Sequence, residues 1–315
     1  MSEGFVTVLR GDEPLIRALA AAGCSATFAD DDELPERGER GSYFYLGNAF
    51  EQIKTPLRLA RIRRRLAADG APYVWWNRDA PWNCAIKPWR KLLVHAARPA
   101  DIHLAHSLQS VDLFGAPAVY FPNAVQVDRY NLAGRTLESL REPAHYRCDV
   151  TFVGTLNPGY RRLRARIEFL GELARRLGRQ GIDCRLFDTS VGSTLTVSEQ
   201  VEIIQTSRIN LNVGAVCDDP VVSWGLPERC FGIAACGGFL LCDERRHAAE
   251  TFPADAWEAF SSLEECVARI EFFLGHFELA RDKAERLHRD VMEHHTYGIR
   301  ARQLLGLVAA WRAAR

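Results

Sequence analysis

This chain of 315 residues lacks a long hydrophobic run, a net charge and cysteines at metal-site spacing, and each absence removes a class of function. No apolar stretch approaches the roughly 20 residues of a membrane-spanning helix, so stable membrane insertion is not expected. Forty basic residues balance forty acidic ones, so no overall field draws the chain to nucleic acid or to a lipid surface. The nine cysteines include no Cys-x-x-Cys pair, and several fall inside expected strands and helices. That pattern suits reduced, buried thiols in a cytoplasmic protein. Cys230, Cys236 and Cys242 follow no zinc-ligand spacing. Residues 1–4 lack the basic and apolar regions of a signal peptide. No G-x-G-x-x-G follows the first strand, which argues against a nicotinamide dehydrogenase. Gly154-x4-Gly159 lacks the Lys and Ser/Thr of a phosphate-binding NTPase loop. There is no internal repeat and no low-complexity segment.

What is present is a globular composition, 47% hydrophobic and 25% charged. The length suits two domains of about 150 residues. Apolar runs predict strands at 5–9, 25–29, 43–46, 73–76, 102–105 and 118–121, with helices at 13–22, 55–68 and 87–97 between them. Residues 123–147 break the rhythm with Pro143, Gly134 and many charges, as a linker does. A second alternation follows, with strands at 149–153, 184–187 and 209–213 and helices at 161–177 and 198–206. Leu163, Ile167, Leu170, Ala174 and Leu177 share one helical face, and Ser198 is the expected cap of the next helix. Helices at 263–274, 279–294 and 299–311 close the chain. The fold class is therefore α/β, with two doubly wound Rossmann-like domains facing across a cleft. The expected boundaries are 1–122, a linker at 123–147, a second domain at 148–296 and a terminal helix at 297–315.

Residues 227–243 organise the second half. Ala234, Ala235 and Cys236 are small enough for a helix to lie close beneath a strand, and Gly237-Gly238 permits a sharp turn into the apolar run Phe239-Leu240-Leu241. An apolar run without polar alternation suits a parallel strand covered on both faces. The helix opens with Glu228 and Arg229, and ligands of parallel sheets gather at strand ends and helix N-termini. An ordinary αβ unit has the same pattern.

Four stretches resemble the C-terminal domain of group 1-like glycosyltransferases of the GT-B fold, in particular the branch of spore-maturation CgeB-like proteins. They are the strand and glycine turn at 149–155 followed by Arg161 or Arg162, the segment Ser207-Arg208-Ile209-Asn210-Leu211-Asn212, the stretch 229–241, and His295-Thr296-Tyr297 with Arg300. The likeness covers residues 149–308, while the first half matches in layout, with Asp79-Ala80-Pro81 after a strand. It implies a metal-independent hexosyl- or related transferase with no cofactor, in which the nucleotide-sugar is a substrate. The second domain is expected to hold the donor. The first would hold a hydroxyl acceptor (a glycan, a small molecule or a modified nucleic acid), and the terminal helix would cross back to brace it. An acidic pair that contacts the donor in related enzymes falls on Trp224 and Gly232 here. The rival reading is a non-catalytic binding module for a nucleotide-sugar or glycan on the same scaffold.

A leaving diphosphate needs backbone N–H groups and a fixed cation. Arg229 at the helix start is the leading candidate, since a guanidinium grips phosphate with two donors; a surface ion pair is its alternative. Gly154 and Thr155 follow a strand where backbone can approach a ligand, or simply turn the chain. One of Arg161 and Arg162 is expected to reach the donor phosphates, and Glu228 and Phe231 flank Arg229 in the donor set. Trp224 offers an indole for stacking or for core packing. Asp188 follows a strand as a ribose or base ligand or as a turn residue, and Asn212 ends a strand on the donor side. An inverting transfer needs a base, for which Asp79 and His106 both follow strands. A retaining transfer needs none. Asp30-Asp31-Asp32 has the D-x-D spacing of metal-dependent enzymes but sits in an acidic loop, and no metal is expected. The basic run Arg61–Arg65 reads as a solvated helix face, or as a surface for anionic lipid or a phosphorylated or nucleic acid acceptor.

Overall fold

The computed structural model describes residues 5–9, 13–29, 43–47, 55–78, 88–97, 100–108, 118–159, 163–190, 195–214 and 225–315. They form two compact units, Met1–Asn123 with Tyr297–Arg315, and Ala124–Thr296.

In the first unit, β1 (Phe5–Leu9), α1 (Glu13–Ala21), β2 (Ser25–Ala29), β3 (Tyr43–Gly47), α2 (Pro56–Asp69), β4 (Tyr73–Asn77), α3 (Pro88–Ala97), β5 (Ile102–Ala105) and β6 (Ala118–Tyr120) follow in order. The strands make one parallel sheet ordered β2-β1-β3-β4-β5-β6. Every residue of β4 is buried, so Trp75 and Trp76 are core side chains. The buried Asp101 carboxylate accepts hydrogen bonds from Arg63 and from the Tyr73 N–H. Part of the basic run on α2 is thereby turned inward rather than solvated.

The second unit contains β7 (Cys148–Gly154), α4 (Arg164–Arg179), β8 (Cys184–Asp188), α5 (Val197–Gln205), β9 (Ser207–Asn212), α6 (Glu228–Ala235), β10 (Leu240–Asp243), α7 (Ala248–Thr251), β11 (Glu258–Phe260), α8 (Leu263–Gly275) and α9 (Phe277–His294). Its strands are parallel in the order β11-β10-β9-β7-β8. The direction of winding therefore reverses between β7 and β9. Side chains alternate across the sheet. Leu240 and Cys242 of β10 enter a core shared with α5, α6 and α9, while Leu241 enters one shared with α4 and α8. Leu170, Leu173 and Leu177 are fully buried. At about 1.5–3 kcal/mol each, they hold to the sheet a helix otherwise rich in arginine and glutamate.

Gly237 has φ +73°, a left-handed turn into Gly238, where an added Cβ would stand 2.8 Å from Asn210 Nδ2 and from Ile204 Cγ2. The turn is thus as tight as the glycine pair predicts. The α5 cap differs from expectation. Thr196, not Ser198, closes a capping box in which Glu199 N donates to Thr196 Oγ1 at 3.2 Å and Thr196 N donates to the Glu199 carboxylate at 2.7 Å. The box requires an acid three residues after the cap, which Thr196 has and Ser198 lacks.

Residues 124–147, whose composition is that of a linker, are fixed to the second unit. Val125 N donates to His295 O at 2.9 Å. Gln205 Nε2 donates to Leu132 O at 3.0 Å. Arg141 meets Glu278, Asp282 and Glu285 along one face of α9. The last helix, α10 (Tyr297–Ala313), packs on α1 in the first unit. There Arg78 Nη1 donates to Tyr297 Oη at 2.6 Å and Arg300 Nε to Pro122 O at 2.9 Å. Among the described residues no helix is long and apolar enough to cross a membrane.

Candidate functional site

A pocket of about 220 Å³ opens in the second unit, lined by β7 (Thr151, Val153, Gly154), β9 (Asn210, Leu211), α5 (Gln200, Ile204), α6 (Glu228, Arg229, Gly232, Ile233), Thr189 and residues 124–126 with Tyr130. It lies between β7 and β9, at the reversal of strand order, where open parallel sheets leave a crevice at the strand ends. On its floor Thr151 Oγ1 donates to Asn210 Oδ1 at 3.2 Å, and Asn210 Nδ2 donates to Ile204 O at 3.1 Å.

The N-terminus of α6 forms one wall. Its N-cap, Pro227, supplies no side-chain acceptor to the first N–H groups of the helix. Arg229 is half-buried. Its guanidinium lies over the Phe152 ring, Cζ 4.6 Å from the centroid, and Nη1 donates to Asn212 Oδ1 at 3.2 Å. Among the described residues no carboxylate stands within ion-pair distance of it. Burial, and secondarily the Arg245 charge, pull its pKa below the ordinary guanidinium value. A partly buried cation held by one neutral amide favours an anionic ligand. Arg245 is the contrast. Its side chain is 6% exposed and paired with Asp243 at 2.6 Å. Burial opposes the Arg245 charge, but the carboxylate outweighs it and the pKa is raised.

Gly154 makes room for this arrangement, since a Cβ there would stand 2.7 Å from Arg229 Cζ. Thr155 follows it, and its carbonyl accepts from Arg166 Nη1 at 3.1 Å. Asp188 is the last residue of β8, and its carboxylate is engaged by neighbouring backbone. Its Oδ1 accepts from Leu156 N and Ser190 N, both at 2.8 Å, and from Ser190 Oγ at 2.5 Å, and its pKa is lowered chiefly by Ser190. Asn212 is buried behind Arg229 rather than lining the pocket. Phe231 is corrected outright. It is fully buried, its ring 5.0 Å from Phe252 and 5.6 Å from His295, because two positions after Arg229 the helix has turned it into the core.

Trp224, Arg161, Arg162, Asp79 and the run Asp30–Asp32 lie outside the described residues. His106 is 3% exposed in the first unit, and its Nδ1 donates to Asn77 O at 3.3 Å. Among the described residues no three His, Cys, Asp or Glu side chains are grouped to hold a metal ion.

Sequence reasoning missed Tyr130, Gln200, Thr151 and Asn210. For the last two a signal exists: they are polar residues among apolar strand neighbours. Tyr130 lies in the irregular segment, where no periodicity marks it. Its hydroxyl donates to Gln200 Oε1 at 2.9 Å, and its ring lies 3.5 Å from where a Cβ at Gly232 would stand. A side chain at 232 would start in contact with that ring. Glu228, one turn earlier on the same helix face, is exposed and brings a carboxylate to the same pocket.

The two parallel sheets and their helices are the two Rossmann-like units of the GT-B fold, and the pocket with its helix-borne arginine lies in the second of them. The profile of the family described as glycosyl transferase-like matches residues 134–306, more than half of the chain, and the chain belongs to that family. No curated protein matches the sequence. Three solved structures show the same fold at low identity. Sucrose-phosphate synthase from Thermosynechococcus elongatus is 11% identical with TM-score 0.62, covering 99% of this chain and 100% of that one. Trehalose 6-phosphate synthase from Burkholderia multivorans is 11% identical with TM-score 0.62, covering 100% of both chains. Anabaena Alr3699/HepE in complex with UDP and glucose is 10% identical with TM-score 0.58, covering 98% of this chain and 100% of that one.

Proposed function

We propose that the chain transfers a sugar from a nucleoside diphosphate donor to an acceptor hydroxyl. In that reaction the bond from the sugar's anomeric carbon to the diphosphate oxygen breaks, and a bond to the acceptor oxygen forms. The acceptor proton leaves to a base, and the diphosphate departs with the electron pair. The single observation that carries the reading is Arg229, a half-buried guanidinium in the first turn of α6, with no carboxylate partner among the described residues. It would hold the charge that develops on the leaving diphosphate. Glu228 would meet sugar or ribose hydroxyls from the same helix face. The comparison with the Anabaena protein, whose structure contains UDP and glucose, supports a nucleotide-sugar donor. On the acceptor side Asp79 is the preferred base, because His106 is buried against the Asn77 carbonyl. The second reading, a binding module without turnover, is favoured by one observation: Tyr130 covers Gly232 where related enzymes place an acid.

Titration of the wild type and Arg229→Ala with UDP, GDP, ADP and dTDP, followed by nucleotide-sugar hydrolysis, tests both readings. Binding weakened at least tenfold by the substitution is expected, with slow hydrolysis by the wild type alone. Equal affinity in the two proteins would refute the diphosphate assignment. Binding without turnover across acceptors would leave the module.

A further inference from the structure

Behind Arg229, at the ends of β9 and β10, lies a buried polar chain. Asn212 is fully buried, its Oδ1 accepting from Arg229 Nη1 at 3.2 Å and its Nδ2 donating to Asp243 Oδ1 at 2.9 Å. Asp243 is held from the other side, where Arg245 Nη2 donates to Oδ2 at 2.6 Å, Arg245 Nε to Oδ1 at 2.9 Å and Gly214 N to Oδ2 at 2.8 Å. Gly214 is bare for the same reason as Gly154, since a Cβ there would stand 2.7 Å from Arg245 Cζ.

An asparagine amide can be placed either way round, and its surroundings decide which. Turned over, Asn212 would set its oxygen against a carboxylate oxygen and its NH₂ against a guanidinium. Both contacts would be between like poles, and the amide itself is fully buried, with no water to turn to. We infer that Asp243, fixed by Arg245 and the Gly214 N–H, is a positioning residue for diphosphate binding: it locks the Asn212 amide with its oxygen toward Arg229 and so aims that guanidinium without neutralising it. The arrangement explains why Arg229 has an amide partner while Arg245, close by, has a carboxylate. A carboxylate at 212 would consume the charge that the ligand needs, whereas an unlocked amide would repel the arginine as readily as hold it.

The inference rests on Arg229 being the diphosphate ligand, and the test separates the two. Asp243→Asn is nearly isosteric. Its NH₂ is best placed at the former Oδ1 site, where only Asn212 can yield by turning over, which sets the Asn212 NH₂ against Arg229. Affinities are measured by calorimetry for whichever of UDP, GDP, ADP and dTDP binds, and for the corresponding nucleoside, in the wild type, Asp243→Asn, Arg229→Ala and the double variant, with melting curves for each. Expected is a diphosphate affinity lowered about tenfold by Asp243→Asn in the wild-type background and unchanged by it when Arg229 is absent, with nucleoside affinity unmoved. Equal losses in both backgrounds, a matching loss for the nucleoside, or no loss at all would overturn the positioning role while leaving the diphosphate reading intact. An unaffected Arg229→Ala, or a wild type that binds none of the four, would overturn both. Should Asp243→Asn fail to fold, Asn212→Leu removes the acceptor but keeps the Asp243–Arg245 pair, and the same cycle applies.

Discussion

A methyl group added at Gly154 would stand 2.7 Å from Arg229 Cζ and 2.9 Å from Phe152 Cζ. The Phe152 ring is fully buried and cannot retreat, so the guanidinium, the far end of a long side chain, has to move. Gly154→Ala is therefore expected to act on binding more than on stability. Nucleoside diphosphate affinity should fall about tenfold, while unfolding free energy changes by no more than about 1–3 kcal/mol. Gly232→Ala is the control, because a Cβ there would meet the Tyr130 ring at an ordinary 3.5 Å. Calorimetric titration and chemical denaturation of the two variants check this, and equal affinity losses would show that the space over Gly154 is not what matters. At this scale the sequence disclosed residue types better than their surroundings. A glycine after a strand and an arginine opening a helix were both visible, but that one lies on the other is a fact of three dimensions. Phe231 shows the converse, since its place beside Arg229 in the chain concealed that it points the opposite way.

At the scale of elements, α6 is the piece that carries the site, and eight residues are too few to be helical alone. It is held by burial, since residues 230–235 are all in the core, and by α9, from which His288 Nδ1 donates to Ala234 O at 3.1 Å. Burial, first among the causes, holds the His288 pKa below the ordinary histidine value, outweighing the hydrogen bonds to Ala234 and Ala235 that raise it. The folded state thus binds its proton less readily than the unfolded state. In the window from about pH 6.5 downward the unfolded chain takes up the proton first. Stability from this group is present above that window and is lost as pH falls through the folded value, with a slope of at most about 1.4 kcal/mol per pH unit. His288→Asn keeps a donor and removes the titration. Urea midpoints between about pH 5 and pH 7.5 should then fall less steeply for the variant than for the wild type. Parallel curves would assign the pH dependence elsewhere. The α6–β10 unit was legible because small residues, a glycine pair and an apolar run each have one physical meaning there. α7 and β11 were not, being four and three residues long, about one repeat each and too short for a period to recur. The packing of residues 124–147 was hidden for another reason: it depends on side-chain contacts to distant helices, such as Arg141 on α9, which leave no local pattern.

At the scale of the molecule the two sheets share one logic: in each, the second strand is outermost beside the first and the third lies on the first strand's other side, so winding reverses at the same point. The units differ in how the chain builds them. Every described residue lining the pocket lies between 124 and 233, inside one continuous stretch of the second unit. The first unit, by contrast, is assembled from both ends of the chain. α10 gives it Tyr297, Ala301, Leu304 and Val308 as buried side chains, and Arg300 caps the carbonyls of Pro122 and Asn123. A chain ended after Thr296 would strip these from the first unit while leaving the pocket's own walls in place. Burial of four such side chains is worth several kcal/mol, roughly 1.5–3 for each large one, a substantial share of the stability of an ordinary domain. The truncated protein should therefore lose hydrogen-exchange protection in α1, β4 and β5 but keep it in β7, β9 and β10. Its affinity for a nucleoside diphosphate should stay within about threefold of the full chain, since no described pocket residue is removed. Loss of binding with the second unit still protected would mean that the anion site needs a group from outside 124–296, and would move the search for the donor's remaining contacts to the first unit.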